Sequence, residues 1–190
     1  MRILALGGSL RARSRNHALL QEAAALAPTG TDVDLGVLPI IGSLPLFNQD
    51  MAEHDAPSAV GELKDALGSA DGLLLATPEY NWGIPGYLKN AVDWASRPNS
   101  DIPRVFGDLP VALIGAGGQS GTRNAQTAWM SVFRYLRMRP WLAHSLFVER
   151  ASEQFDEQNR LTNDATRQRL QTIVVGFAAH CEQLPRRRAS

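Results

Sequence analysis

Thr77-Pro78-Glu79-Tyr80-Asn81-Trp82-Gly83-Ile84-Pro85-Gly86-Tyr87-Leu88-Lys89-Asn90-Ala91-Val92-Asp93-Trp94 is entered from the apolar run Gly72-Leu73-Leu74-Leu75-Ala76 and left through a helical pattern. Five apolar or small residues without polar alternation read as a strand buried on both faces. Thr77-Pro78 stops it, because proline offers no N–H to a ladder and holds its predecessor extended. Pro85 suits the first turn of a helix, and Leu88, Val92 and Ala95 recur at helical spacing. The loop between them lies at the carboxyl end of a central strand, where open α/β sheets place their ligands.

The same alternation extends in both directions. Upstream, Ile3 to Leu6 is an apolar run ended by Gly7-Gly8. The polar, basic stretch Ser9-Leu10-Arg11-Ala12-Arg13-Ser14-Arg15-Asn16 then leads into an amphipathic helix reaching about Ala27. Such a strand, loop and helix start is an anion cradle made of free backbone N–H groups, hydroxyls and a guanidinium. It is equally an ordinary turn with Ser14 or Asn16 as N-cap, and on these residues alone both readings stand. Asp32 to Val37 reads as an edge strand, Pro39 to Pro57 as a long connection that is either functional or mobile or an extended surface crossover whose Leu46 and Phe47 pack on the domain, and Ala56 to Ser69 as a helix.

Downstream, Val111-Ala112-Leu113-Ile114 is another buried strand, ending in Gly115-Ala116-Gly117-Gly118-Gln119-Ser120-Gly121. This is not a dinucleotide fingerprint: it follows a late strand and no acidic residue stands at the required distance. Glycines such as Gly117 and Gly118 instead let the backbone approach a ligand plane or turn tightly. Thr122 to Arg137 reads as a helix, Leu146 to Val148 as the last strand, and Thr162 to Gln183 as the closing helix. Five strands alternating with helices predict a three-layer α/β domain over residues 1–185, with 186–190 as a frayed basic tail.

Composition narrows the partners. Lys+Arg and Asp+Glu each number 19, so no net field draws the chain to nucleic acid or an anionic membrane. One cysteine, Cys181, excludes an internal disulfide and a cysteine-rich metal site. The four histidines lack ligand spacing, and no stretch reaches membrane-spanning length, so the expected compartment is the cytoplasm. No Ser-His-Asp order, paired carboxylates or Cys-x5-Arg loop is present, and the absence of an obvious reactive side chain points to a cofactor.

Three separated motifs, Gly8 to Asn16, Leu44-Pro45-Leu46-Phe47-Asn48-Gln49-Asp50, and Thr77 to Asn81 through Pro85 to Trp94, together resemble the NAD(P)H-dependent FMN reductases, including bacterial quinone and chromate reductases. The likeness covers most of the chain and weakens after about residue 140. It implies a flavodoxin-like, doubly wound parallel sheet of order 2-1-3-4-5. By that resemblance, Ser9, Arg11, Ser14 and Asn16, with Arg15 beside them, hold the FMN phosphate. Pro78, Glu79, Tyr80 and Asn81 line the ribityl and isoalloxazine. The implied activity is ping-pong hydride transfer from NADPH or NADH through FMN to a quinone, flavin, dye or metal oxyanion.

A non-enzymatic flavodoxin-like electron carrier is the alternative, but such carriers are strongly acidic and have a threonine-rich phosphate loop that this chain lacks. Gly83 departs from the family's usual serine. A homodimer or homotetramer is also implied, supported by the aromatic residues Tyr87, Trp94, Trp129 and Phe133 on helices after the central strands.

Overall fold

The computed structural model describes residues 1–36 and 38–187. In chain order its elements are β1 (Arg2–Gly7), α1 (Arg15–Ala25), β2 (Asp32–Asp34), α2 (Leu38–Ser43), α3 (Gln49–His54), α4 (Ser58–Ser69), β3 (Gly72–Ala76), α5 (Gly86–Ala95), α6 (Ile102–Val105), β4 (Pro110–Ala116), α7 (Arg123–Tyr135), β5 (Arg139–Pro140), β6 (Leu146–Val148) and α8 (Asp164–Gln183). All strand pairings are parallel, in the order β2-β1-β3-β4, with both β5 and β6 against β4. The fifth place in the sheet is thus shared by two short pieces: Pro110 and Val111 pair with Arg139 and Pro140, and Ile114 to Ala116 pair with Leu146 to Val148. The expected order 2-1-3-4-5 is therefore found with one strand more than the sequence reading counted. Arg139-Pro140 carries no apolar run by which to recognise it.

Helices cover both faces, and the period of two along each strand divides the core. Leu4, Leu6, Leu73, Leu75, Val111 and Leu113 face α4, α5 and α7. Ile3, Ala5, Leu74, Ala76, Ala112 and Ile114 face α1 and α8. Where α8 crosses the sheet it needs a glycine beneath it: a Cβ on Gly72 would lie 2.8 Å from the Cys181 sulfur. Burial pushes the Cys181 thiol up to about 12, so it is packing material and not a nucleophile.

Three expectations change on contact with the fold. Residues 38–57 form the short helices α2 and α3 instead of an extended crossover, and Leu46 is 85% exposed while Phe47 packs edge-on against Trp94. Trp94, Trp129 and Phe133 are core residues at 0–2% exposure, so they lend no support to an oligomer surface. Arg186, placed by the sequence reading in a frayed tail, is buried. Its guanidinium donates to Leu67 O at 2.7 Å, Arg104 O at 2.9 Å and Gly107 O at 3.1 Å. Carbonyls left over at the ends of α4 and α6 need donors, and Arg186 supplies them. Arg188 to Ser190, and Val37 at the expected edge-strand end, lie outside the described residues.

Candidate functional site

At the carboxyl ends of β1, β3 and β4 lies a cleft of about 280 Å³ lined by Ser9, Arg11, Ser14, Arg15, Asn16, Pro78, Glu79, Tyr80, Ala116, Gly117, Gly118, Arg150, Ala151 and Ser152. The three loops singled out from the sequence do converge. Ten of the residues named in advance line it: Ser9, Arg11, Ser14, Arg15, Asn16, Pro78, Glu79, Tyr80, Gly117 and Gly118.

The β1–α1 loop resolves both readings of its sequence. Ser14 is the N-cap of α1, its hydroxyl oxygen accepting from His17 N at 3.2 Å. Capping uses the oxygen as an acceptor, so the hydroxyl proton stays available to an anion. Ser9 is similar: its oxygen accepts from Arg11 N at 3.4 Å, and it is 3% exposed. The first-turn N–H groups of Arg15 and Asn16 have no intrahelical acceptor and carry the positive end of the helix dipole. A cap and an anion cradle are here the same structure.

Asn16 has a second task. Its amide donates to Ala116 O at 3.0 Å and accepts from Ala116 N at 2.9 Å, across 100 residues. Both sides of the side chain thus tie the first turn of α1 to the end of β4. Asn159, in a left-handed turn with φ 63°, donates to Ser14 O at 3.2 Å and braces the same turn from the opposite side. His17, just behind, is held below its ordinary range by burial, against a backbone hydrogen bond to Gly7 that works the other way.

The central loop is pinned by Glu79. Its carboxylate accepts from Ser120 Oγ at 2.6 Å, Ala125 N at 2.9 Å and Asn124 Nδ2 at 3.2 Å. Thr122, the N-cap of α7, makes no side-chain cap, so Glu79 caps that helix from another loop. Burial works to raise the Glu79 carboxyl, but the bonds from Ser120, Ala125 and Asn124 together hold it below its ordinary 4.5. A depressed folded value stabilises above the unfolded value and loses that contribution as pH falls through the folded one. Glu79→Gln should therefore melt below wild type at pH 7 by about 1 kcal/mol, or roughly 2–4 °C, and the gap should narrow as pH falls below 4.5 and close once the folded carboxyl is protonated. Thermal melts across pH 3–7 check this, and a gap that persists in acid would contradict it.

Asn81 does not line the cleft. Tyr80 and Gly83 bridge each other, with Gly83 N donating to Tyr80 O at 2.9 Å, and the two residues between them have φ 50° and 62°. Two successive left-handed residues make a type I′ turn, for which Asn is well suited at the first position and Trp poorly at the second. Trp82 is held there 78% exposed, beside the half-exposed Tyr80.

The sequence reading also missed Arg150, Ala151 and Ser152. They directly follow β6, so the rule that ligands gather at the carboxyl ends of strands, applied to the last strand as well, would have found them.

The arrangement suits a ligand with an anionic end and a flat body. The buried Ser9 and Ser14, the first turn of α1 and three arginines all border the cleft. At Gly118 a Cβ would meet nothing within 4 Å, leaving the backbone open to a ring plane. Among the described residues no group of three metal-ligating side chains exists, and no helix is long and apolar enough to cross a membrane.

Residues 1–153 match the family model of NADPH-dependent FMN reductases. An NAD(P)H-dependent FMN reductase of Pseudomonas aeruginosa is 38% identical, the match covering 90% of both chains. A 2-hydroxy-1,4-benzoquinone reductase of Burkholderia sp. is 37% identical over 94% of this chain and 95% of its own. The solved structure of FerB, a flavoenzyme NAD(P)H:(acceptor) oxidoreductase of Paracoccus denitrificans, superposes with a TM-score of 0.83 at 30% identity, covering 97% of this chain and 98% of that one. With the fold, the cleft and the matched motifs in agreement, the chain belongs to the NADPH-dependent FMN reductase family.

Proposed function

We propose that the chain carries out its family's NAD(P)H-dependent flavin chemistry by a ping-pong route, with a small quinone as the acceptor class best supported. The observation that carries this reading is the cleft at the carboxyl ends of β1, β3 and β4, whose phosphate-type cradle and glycine-lined floor fit FMN. Held there, FMN would supply the hydride-transfer chemistry between NADPH or NADH and the second substrate.

The protein's own groups have simpler tasks. Ser9, Ser14, Arg11 and Arg15 bind the phosphate, with the first turn of α1 as an electrostatic backstop. Asn16 sets the distance between that turn and the floor at Ala116. Pro78 and Tyr80 border the ring, and Glu79 keeps their loop against α7. Quinones are favoured because 2-hydroxy-1,4-benzoquinone and quinone reductases of Burkholderia, Solanum and Arabidopsis align over 94% of this chain. The test is anaerobic mixing of FMN-loaded protein with NADPH, then with a benzoquinone. Bleaching of the flavin band followed by its return on quinone addition is expected. No bleaching would instead identify an electron carrier.

A homodimer or homotetramer is part of this reading. Tyr87 and Tyr135, on α5 and α7, remain 49% and 61% exposed, and large aromatic surface favours a partner face. Sedimentation at micromolar concentration giving a monomer mass would remove it.

A further inference from the structure

We propose that Arg150 is a phosphate-binding residue of this cleft, supplied by the segment after β6 and lying outside the three motifs that mark the family. The inference rests on the reading of the cleft as an FMN site.

Three arginines are among the residues that line the cleft, Arg11, Arg15 and Arg150. Among the described residues none of the three forms an ion pair with a carboxylate. Like charges sharing a cleft repel, and the one acidic residue in its lining, Glu79, is occupied by Ser120 and the N-terminus of α7. A dianion resolves the excess, and guanidinium forks match phosphate oxygens in pairs.

The position of Arg150 is built in. Arg150 N donates to Gly118 O at 2.8 Å, Ala151 N to Gly117 O at 2.9 Å, and Glu153 N to Arg150 O at 2.8 Å. The loop carrying it is thereby fastened to the floor of the cleft, and further along Asn159 ties that segment to Ser14, the first residue of the cradle. Arg150 thus enters the cleft lining from the segment after β6, whereas Arg11 and Arg15 enter it from the β1–α1 loop.

The backbone gives a second, independent sign. Arg150 has φ 44°, a left-handed conformation that glycine adopts without strain and a branched-at-Cβ or long side chain does not. A strained non-glycine residue at a cleft is a functional signal when its side chain has work to do there. Folding and binding then pull in opposite directions at this one position.

That opposition makes the test sharp. Apo-protein of wild type, Arg150→Gly and Arg150→Lys is titrated with FMN and, separately, with riboflavin, which lacks the phosphate, and each variant is melted. Arg150→Gly is expected to weaken FMN binding about tenfold, leave riboflavin binding unchanged, and melt at or above the wild-type temperature. Arg150→Lys should recover part of the FMN affinity through its charge. Unchanged FMN affinity in Arg150→Gly, or equal losses for FMN and riboflavin, would overturn the assignment. A lowered melting temperature with both ligands lost would make Arg150 structural. Wild-type protein that binds neither flavin would sink the FMN reading itself, a result separate from any of these.

Discussion

Gly115→Ala is expected to cost about 3 kcal/mol of stability and to lower the melting temperature by roughly 6–12 °C. The reason lies in the crossing of three segments at the end of β4. A Cβ on Gly115 would sit 2.0 Å from Thr122 Oγ1 and 2.6 Å from Thr77 O. Rotation of Thr122 does not relieve the first contact freely, because that hydroxyl accepts from Gln126 Nε2 at 3.1 Å, and Thr122 is fully buried with φ 75°. The second contact is with backbone. Thr77 is itself fixed, its N–H donating to Ile114 O at 3.0 Å and its hydroxyl accepting from Trp129 Nε1 at 3.2 Å. Relief therefore requires β3 and β4 to part just where their loops form the cleft, so FMN binding should fall together with stability. Thermal melts and flavin titration of the same preparation measure both. A variant that melts with wild type would show that the sheet end is far softer than this packing implies.

Arg11→Ala should weaken FMN binding by about one to two orders of magnitude while leaving the fold unchanged. A charge-assisted hydrogen bond to a phosphate contributes about 1.5–3 kcal/mol, which sets the range. Arg11 is exposed and its side chain forms no hydrogen bond or ion pair among the described residues, so its removal orphans no partner. The loss stays within two orders because Ser9, Ser14, Arg15 and the first turn of α1 remain. Arg13 is the internal control: it is exposed and does not line the cleft, so Arg13→Ala should bind FMN as wild type does. Fluorescence titration of the apo-proteins decides the matter, and equal affinity of wild type and Arg11→Ala would place the phosphate elsewhere.

Residues close together in sequence announced most of this site. Proline after an apolar run stops a strand wherever it occurs, and a polar loop before an amphipathic helix presents N–H groups whatever surrounds it. These are local effects, which is why β1, β3, β4 and the loops holding Ser9 to Asn16 and Pro78 to Tyr80 were legible from the chain alone. Their convergence followed from parallel topology, since alternating strands and helices put every β-to-α loop on one edge of the sheet.

What the sequence could not determine was anything resting on a distant partner. That the Asn16 amide is bonded on both sides to Ala116, 100 positions on, is visible only in the fold. So is the capping of α7 by Glu79 from another loop. Trp94, Trp129 and Phe133 read equally as core or as a partner face, because a helical stripe does not say what will cover it. Arg186, in a run of three arginines, reads as solvated because its acceptors are carbonyls at the ends of two helices far away in the chain. Arg150 carries no motif at all, and only the folding of β6 against β4 brings it to the cleft lining. Backbone pattern is encoded locally and sets the architecture. The pairing of polar groups is decided by which chain ends meet, and that is a property of the tertiary structure alone.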